Sequence, residues 1–164
     1  MTVVELRQYT LRPGQRDVLI DLFDRELLEP QEAAGCTVVG QFRDEDDPDR
    51  FVWFRSFPDL AARHAALTAF YLEGEAWRKH RDAANATMLD SDNVLLLRPE
   101  SDFPPLPRPV GAASSRILVL IGPASSDFAG PFASFVTEPA ENTFRALPVR
   151  EGRTSESGFG FSRI

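Results

Sequence analysis

Hydrophobic and polar positions alternate over residues 2–11. Val4, Leu6, Gln8 and Thr10 share one side of the chain, and Val3, Glu5, Arg7 and Tyr9 share the other. A period of two predicts a strand with at least one polar face. Arg12-Pro13-Gly14 reads as a turn. Val18, Leu19, Leu22, Phe23 and Leu27 then recur at helical spacing, which predicts a helix over residues 15–29 with one apolar stripe and Pro30 near its end. Strands follow at 37–43 and 51–57, joined into a hairpin by the acidic run Asp44-Glu45-Asp46-Asp47-Pro48-Asp49. Ser56-Phe57-Pro58-Asp59 marks a helix start, with Ser56 or Pro58 at the N-terminus. Leu60, His64, Leu67, Phe70 and Tyr71 carry that helix. Gly74 interrupts it, a second helical stretch covers 75–88, and 93–98 is a strand.

The order β-α-β-β-α-β predicts an α+β fold of ferredoxin-like type, an antiparallel sheet with both helices on one face. Tyr9, Phe42, Trp53 and Leu96 cannot all lie on the helix side, so a second sheet is expected to cover the other face.

Composition changes after Arg98, where nine of the 13 prolines lie. Three segments are expected: a domain over 1–99, a proline-rich linker over 100–115, and a reduced second repeat over 116–164 that packs on the first. In the third, 116–121 is a firm strand, and 132–137 and 159–164 are weaker ones. The turn Glu138-Pro139-Ala140-Glu141-Asn142 echoes the acidic hairpin, but residues 122–130 are too few for a helical crossover, so the repeat lacks its helix.

Charge narrows the functional classes. A net charge of −7 disfavours nucleic acid, whose phosphates an acidic chain repels. The single cysteine, Cys36, allows neither an intrachain disulfide nor a cysteine-rich metal site. No apolar run reaches the roughly 20 residues of a membrane span, and the N-terminus has no signal-peptide pattern. The chain is expected to be cytoplasmic. Dinucleotide, P-loop and nucleophile-elbow motifs are all absent from the sequence.

The richest segment for chemistry is Phe70-Tyr71-Leu72-Glu73-Gly74-Glu75-Ala76-Trp77-Arg78-Lys79-His80-Arg81, continuing through Asn85 to Met88 and Leu89. Trp77, Arg81, Ala84 and Met88 share a helical face, with His80 beside them. One reading makes this a pocket mouth. There Tyr71, His80 and Arg81 act as catalytic groups, with His80 moving a proton and Arg81 or Asn85 holding an oxyanion. Tyr9, Phe42, Trp53, His64, Trp77 and Asn85 bind the substrate. The plainer reading makes Trp77 and Met88 core, Arg81 a partner of Asp82 or Glu75, and His64 a satisfied core histidine.

The opening Val4-Glu5-Leu6-Arg7-Gln8-Tyr9-Thr10-Leu11-Arg12-Pro13-Gly14, the Phe70–Leu89 segment and Leu95-Leu96-Leu97-Arg98-Pro99 resemble NIPSNAP domains, over about residues 2–100. The resemblance implies a dimeric α+β barrel, hence a homodimer through the first unit. It also implies kinship with cofactor-independent monooxygenases and cyclases. The expectation is therefore an enzyme that needs no bound cofactor or metal and acts on a small, flat, hydrophobic carbonyl or phenolic molecule. The alternative is a non-catalytic interaction module or a small-molecule carrier.

Overall fold

The computed structural model describes residues 1–100, 116–123, 133–150 and 157–163, the last as backbone. Strand β1 (Val3–Leu11) leads into α1 (Arg16–Leu22), a π-helical turn (Phe23–Leu27) and α2 (Leu28–Ala33). Strands β2 (Thr37–Arg43) and β3 (Arg50–Phe57) form the expected hairpin. Then come α3 (Leu60–Leu67), a second π-helical turn (Thr68–Leu72) and α4 (Glu75–Thr87). The first unit closes with the short β4 (Met88–Asp90) and with β5 (Val94–Pro99).

Local chemistry explains where these elements differ from the sequence pattern. The first helical arm runs past Pro30 to Ala33. Proline has no N–H to donate, and the π turn places Pro30 in the first turn of α2, where none is needed. The second arm is capped by Asp59 in place of Ser56 or Pro58; its carboxylate accepts the Ala62 N–H at 2.7 Å. Gly74 is extended and starts α4. A β-carbon there would collide with the Phe70 carbonyl oxygen, so only glycine fits so close to the π turn.

With β6 (Ile117–Pro123), β7 (Ala133–Thr137) and β8 (Ser157–Arg163) from the second half, the sheet order is β2-β3-β1-β5-β7-β8-β6, and β4 also pairs with β1. Its first four strands and the helical layer are the ferredoxin-like α+β unit. After Pro99 the described residues contribute β6, β7 and β8, with no helix among them. Apart from Glu100, the expected linker lies outside the described residues.

The sheet has two unlike faces. Away from the helices, Val4, Leu6, Val39, Phe54, Leu95 and Leu97 pack with Ala133 and Phe135 of β7. Phe42 and Val52 join them from one edge, and Ile117 and Val119 of β6 from the other. Arg116 Nε lies 3.0 Å from Glu45 Oε1, so the two ends of the sheet curl toward each other. The face expected to need a partner sheet is thus covered by strands of its own chain. Toward the helices lie Tyr9, Leu11, Phe51 and Trp53, under Leu19, Phe23, Leu27 and Phe70. Interleaved with them on β1 and β3 is a set of buried charges.

Candidate active site

Glu5 and Arg7 of β1 and Arg55 of β3 project toward the helices, because their pleat positions match those of Tyr9 and Trp53. Arg63 reaches the same place from the first turn of α3. All four are at most 2% exposed. Glu5 Oε2 accepts from Arg7 Nη1 at 2.7 Å and from Arg55 Nε at 2.8 Å, while Oε1 accepts from Arg63 Nε at 2.6 Å. Burial pushes the Glu5 carboxyl up, but Arg55, Arg7 and Arg63 outweigh it and hold it far below the ordinary carboxylate range. For Arg63, burial outweighs Glu5 and lowers the guanidinium. An arginine stays protonated in proteins all the same. Among the described residues, one carboxylate therefore faces three guanidiniums, an excess of two positive charges in a buried cluster.

The arginines pass this charge on to two phenols. Arg7 Nε donates to Tyr9 Oη at 2.8 Å. Arg55 Nη1 donates to Tyr71 Oη at 3.2 Å and to Gln31 Oε1 at 2.9 Å. The guanidinium of Arg55 also lies over the Trp53 ring, 5.1 Å from its centroid, and that of Arg7 lies 5.6 Å away. Burial pushes the Tyr71 phenol up, against the pull of Arg55, so it is neutral and keeps its proton to donate.

A cavity of about 70 Å³ opens beside this cluster. Arg7, Tyr9, Gln31 and Trp53 line its buried end, with Phe23 and Leu27 from the first π turn and Phe70 and Tyr71 from the second. Trp77, Asn85, Met88, Ser91 and Leu147 stand at the partly exposed mouth. Both π turns thus deliver side chains to one cavity, a placement common for π-bulges at functional sites. Trp77 meets Tyr71 edge-on at 5.0 Å, and Tyr71 meets Phe70 edge-on at 4.8 Å, which fixes the inner wall.

Of the residues singled out from sequence, Tyr9, Trp53, Tyr71, Trp77 and Asn85 line this cavity. Four others lie elsewhere. Phe42 is on the opposite face of the sheet, paired in register with Val52, because strand pleat sends neighbouring positions to opposite sides. His64 is exposed on α3, with Nδ1 2.8 Å from the Thr143 carbonyl, and is neither a cavity group nor a core histidine. His80 is half-buried, with Nε2 3.2 Å from Glu26 Oε2 of the first π turn, and does not line the cavity. Arg81 is largely exposed beside Asp82, at 3.5 Å. Trp77, Ala84 and Met88 face inward as the stripe predicts, while the long Arg81 side chain at the stripe's edge runs out to water.

The sequence reading missed Glu5, Arg7, Arg55, Arg63 and Gln31, and it missed a contribution from the second half. The segment after β7 leaves the sheet and lies on α3. Asn142 Oδ1 accepts from Arg63 Nη1 at 3.0 Å, Phe144 is buried against Ala66 and Leu67, and Leu147 reaches the cavity mouth. Cys36, buried below the same layer, has its thiol pushed up to about 11 by burial and is not a nucleophile. Among the described residues there is no group of three or more metal-type side chains, and no helix is long and apolar enough to cross a membrane.

Fold and site together define an α+β protein whose antiparallel sheet carries a charge-lined cavity beneath its helical layer. Residues 4–103 match the NIPSNAP family, and the chain belongs to that family. It is similar in structure to a NIPSNAP family protein from Agrobacterium tumefaciens, at 21% identity and a TM-score of 0.56, over 65% of this chain and 100% of that one. It is also similar to a NIPSNAP-like domain protein from Burkholderia xenovorans, at 27% identity and a TM-score of 0.56, over 65% of this chain and 91% of that one. A further Agrobacterium tumefaciens NIPSNAP family protein, of unknown function, has 20% identity and a TM-score of 0.56, over 64% and 94% of the two chains. No curated protein is significantly similar to the chain. The family match ends before Asn142 and Leu147, so these two parts of the site lie outside it.

Proposed function

We propose that this cavity is the active site of a small enzyme acting, without a bound cofactor, on a flat hydrophobic carbonyl or phenolic molecule. The observation that carries the reading is the pair of phenols. Tyr9 and Tyr71 each accept a hydrogen bond from an arginine, so each hydroxyl proton is left for a third partner. A substrate carbonyl or phenol oxygen seated there receives donors already oriented and backed by positive charge. Charge that develops on that oxygen during enolisation or phenol ionisation is stabilised where it forms. Trp77 and Met88 at the mouth offer apolar surface to a planar ring whose oxygen enters the cavity.

In this reading Tyr71 keeps a catalytic role, as a proton-donating oxyanion group. His80 and Arg81 have none, since neither lines the cavity. No cavity side chain accepts a proton at neutral pH: the arginines are charged, Tyr71 is neutral, and Glu5 is locked. The substrate proton therefore leaves through water at the mouth, and the stabilised anion undergoes ring closure, proton return, or oxygenation by dioxygen, in which one oxygen atom enters the substrate and the other leaves as water at the expense of two further substrate electrons. That same lack of a base favours the second reading, a carrier that holds the molecule without turning it over.

The experiment is turnover of a panel of 1,3-dicarbonyls, hydroxyquinones and acidic phenols, followed by oxygen uptake and absorbance. Tyr71→Phe is expected to lower kcat about 10²-fold on any compound turned over, the usual effect of removing one oxyanion donor. A Tyr71→Phe enzyme with the wild-type rate contradicts the assignment. Binding across the panel with no turnover supports the carrier.

A further inference from the structure

We infer that the cavity takes its ligand as an anion, through a planar oxygen group of carboxylate, phenolate or enolate type. This deepens the function proposed above and rests on the same cavity being the ligand site, though it does not require turnover. The argument is a count of donors and acceptors. Each side-chain acceptor of the cluster already receives an arginine N–H: both oxygens of Glu5, Gln31 Oε1, Tyr9 Oη and Tyr71 Oη. What remains at the buried end of the cavity is donors, since the one buried acceptor without a partner, Gln41 Oε1, does not line the cavity. Arg7 lines the cavity and uses Nε on Tyr9 and Nη1 on Glu5, with no partner for Nη2 among the described residues. Arg55 fixes the Gln31 amide with its oxygen turned to the guanidinium, so the amide NH₂ faces away from it and has no partner among the described residues. Trp53 lines the cavity at 1% exposure, and its Nε1 has no acceptor. Behind them, Nη2 of Arg55 and Nη2 of Arg63 are also buried without a partner.

Buried donors in such number are rare in native proteins and call for a missing partner. Water could satisfy some of them, but water cannot offset two buried positive charges that no described residue balances. A ligand that brings only acceptors and a negative charge answers both deficits at once. A planar group also fits the fork of Arg7, which presents its donors in one plane. The cavity exceeds what one water needs and is smaller than the roughly 150 Å³ that holds a benzene ring. It therefore admits the anionic head, and the rest of the ligand extends toward Trp77 and Met88.

The test uses the only two tryptophans of the chain, Trp53 and Trp77, both of which line the cavity. Intrinsic fluorescence is titrated with acetate, benzoate, benzamide, and a nitrophenol at pH values spanning its own ionisation. Benzoate is expected to bind at least tenfold more tightly than benzamide, its neutral isostere. Nitrophenol affinity should rise as the phenol ionises and then level off, which separates a carboxylate-selective site from one that takes any oxyanion. Trp53→Phe keeps the ring and removes one donor; it should weaken benzoate about tenfold and leave benzamide nearly unchanged, with Trp77 as the remaining reporter. Benzamide binding as tightly as benzoate, or no anion binding at all, overturns the inference. Anion binding without turnover of any compound leaves it standing and removes the enzymatic reading instead.

Discussion

The two faces of strand β1 solve the same burial problem in opposite ways. Val4 and Leu6 lie in an apolar layer covered by β7 and β6. Glu5 and Arg7, one residue away on each side, lie in an equally dry layer built on charge. An apolar layer gains stability from each group it removes from water. A buried ion cluster returns little net stability, because desolvation offsets most of the attraction, and apolar replacements often do as well. The cluster here is also unbalanced, with three cations on one anion. Stability alone does not explain it, and the proposed anionic ligand would supply the missing charge. The apolar face holds the fold together, and the charged face is where we propose that function resides.

The largest effect should come from breaking the cluster at its centre. Glu5→Gln leaves three guanidiniums buried with no counter-charge and is expected to cost about 3–5 kcal/mol in urea unfolding. Glu5 also fixes the sign of the acid response. Its folded carboxyl titrates far below its unfolded one, so its contribution is complete above the ordinary carboxylate range, starts to fall as pH drops into that range, and is gone only below the folded titration. Glu5→Gln should flatten that loss. Leu6→Ala, on the other face, is expected to cost about 2–5 kcal/mol and shift the whole stability–pH curve without changing its shape. Equal acid slopes in the two variants would erase the contrast between the faces.

A smaller effect is expected at Gly74, which belongs to neither face but sets the second π turn. Gly74→Ala drives a methyl against the Phe70 carbonyl and should cost about 1–3 kcal/mol, the range for overpacking. It also displaces Phe70 and Tyr71, so ligand affinity should fall by more than in a Leu6→Ala protein of equal stability. The smallest effect is expected at Arg81, an exposed group that the sequence favoured. Arg81→Ala should stay within about 0.5 kcal/mol of wild type and leave cavity binding unchanged.

The order β-α-β-β-α-β was legible because alternation and helical spacing are strong along the first hundred residues. The inner stripe of α4 was legible for the same reason, at Trp77, Ala84 and Met88. The charged centre was not, since Glu5 and Arg7 alternating with valine and leucine look like a strand face turned to water. A usable signal did exist in the pattern of Trp53, Arg55 and Phe57, a charge between aromatics on one strand face that a helical layer has to cover. Tyr9 and Arg7 repeat it on β1. Arg63 could not be placed without the cap at Asp59 that sets the helix phase. The contributions of Asn142 and Leu147 depend on a path off the sheet and onto α3, which no local pattern encodes.

The central claim is that the buried positive charge and the two phenols await an anionic oxygen group. A crystal structure of the protein soaked with benzoate tests this most directly. The account predicts carboxylate oxygens within about 3.2 Å of Arg7 Nη2 and of the Tyr71 hydroxyl, the ordinary hydrogen-bond range, with the ring directed toward Trp77. Benzoate bound elsewhere at saturating concentration, with only water against Arg7 and Tyr71, would contradict it.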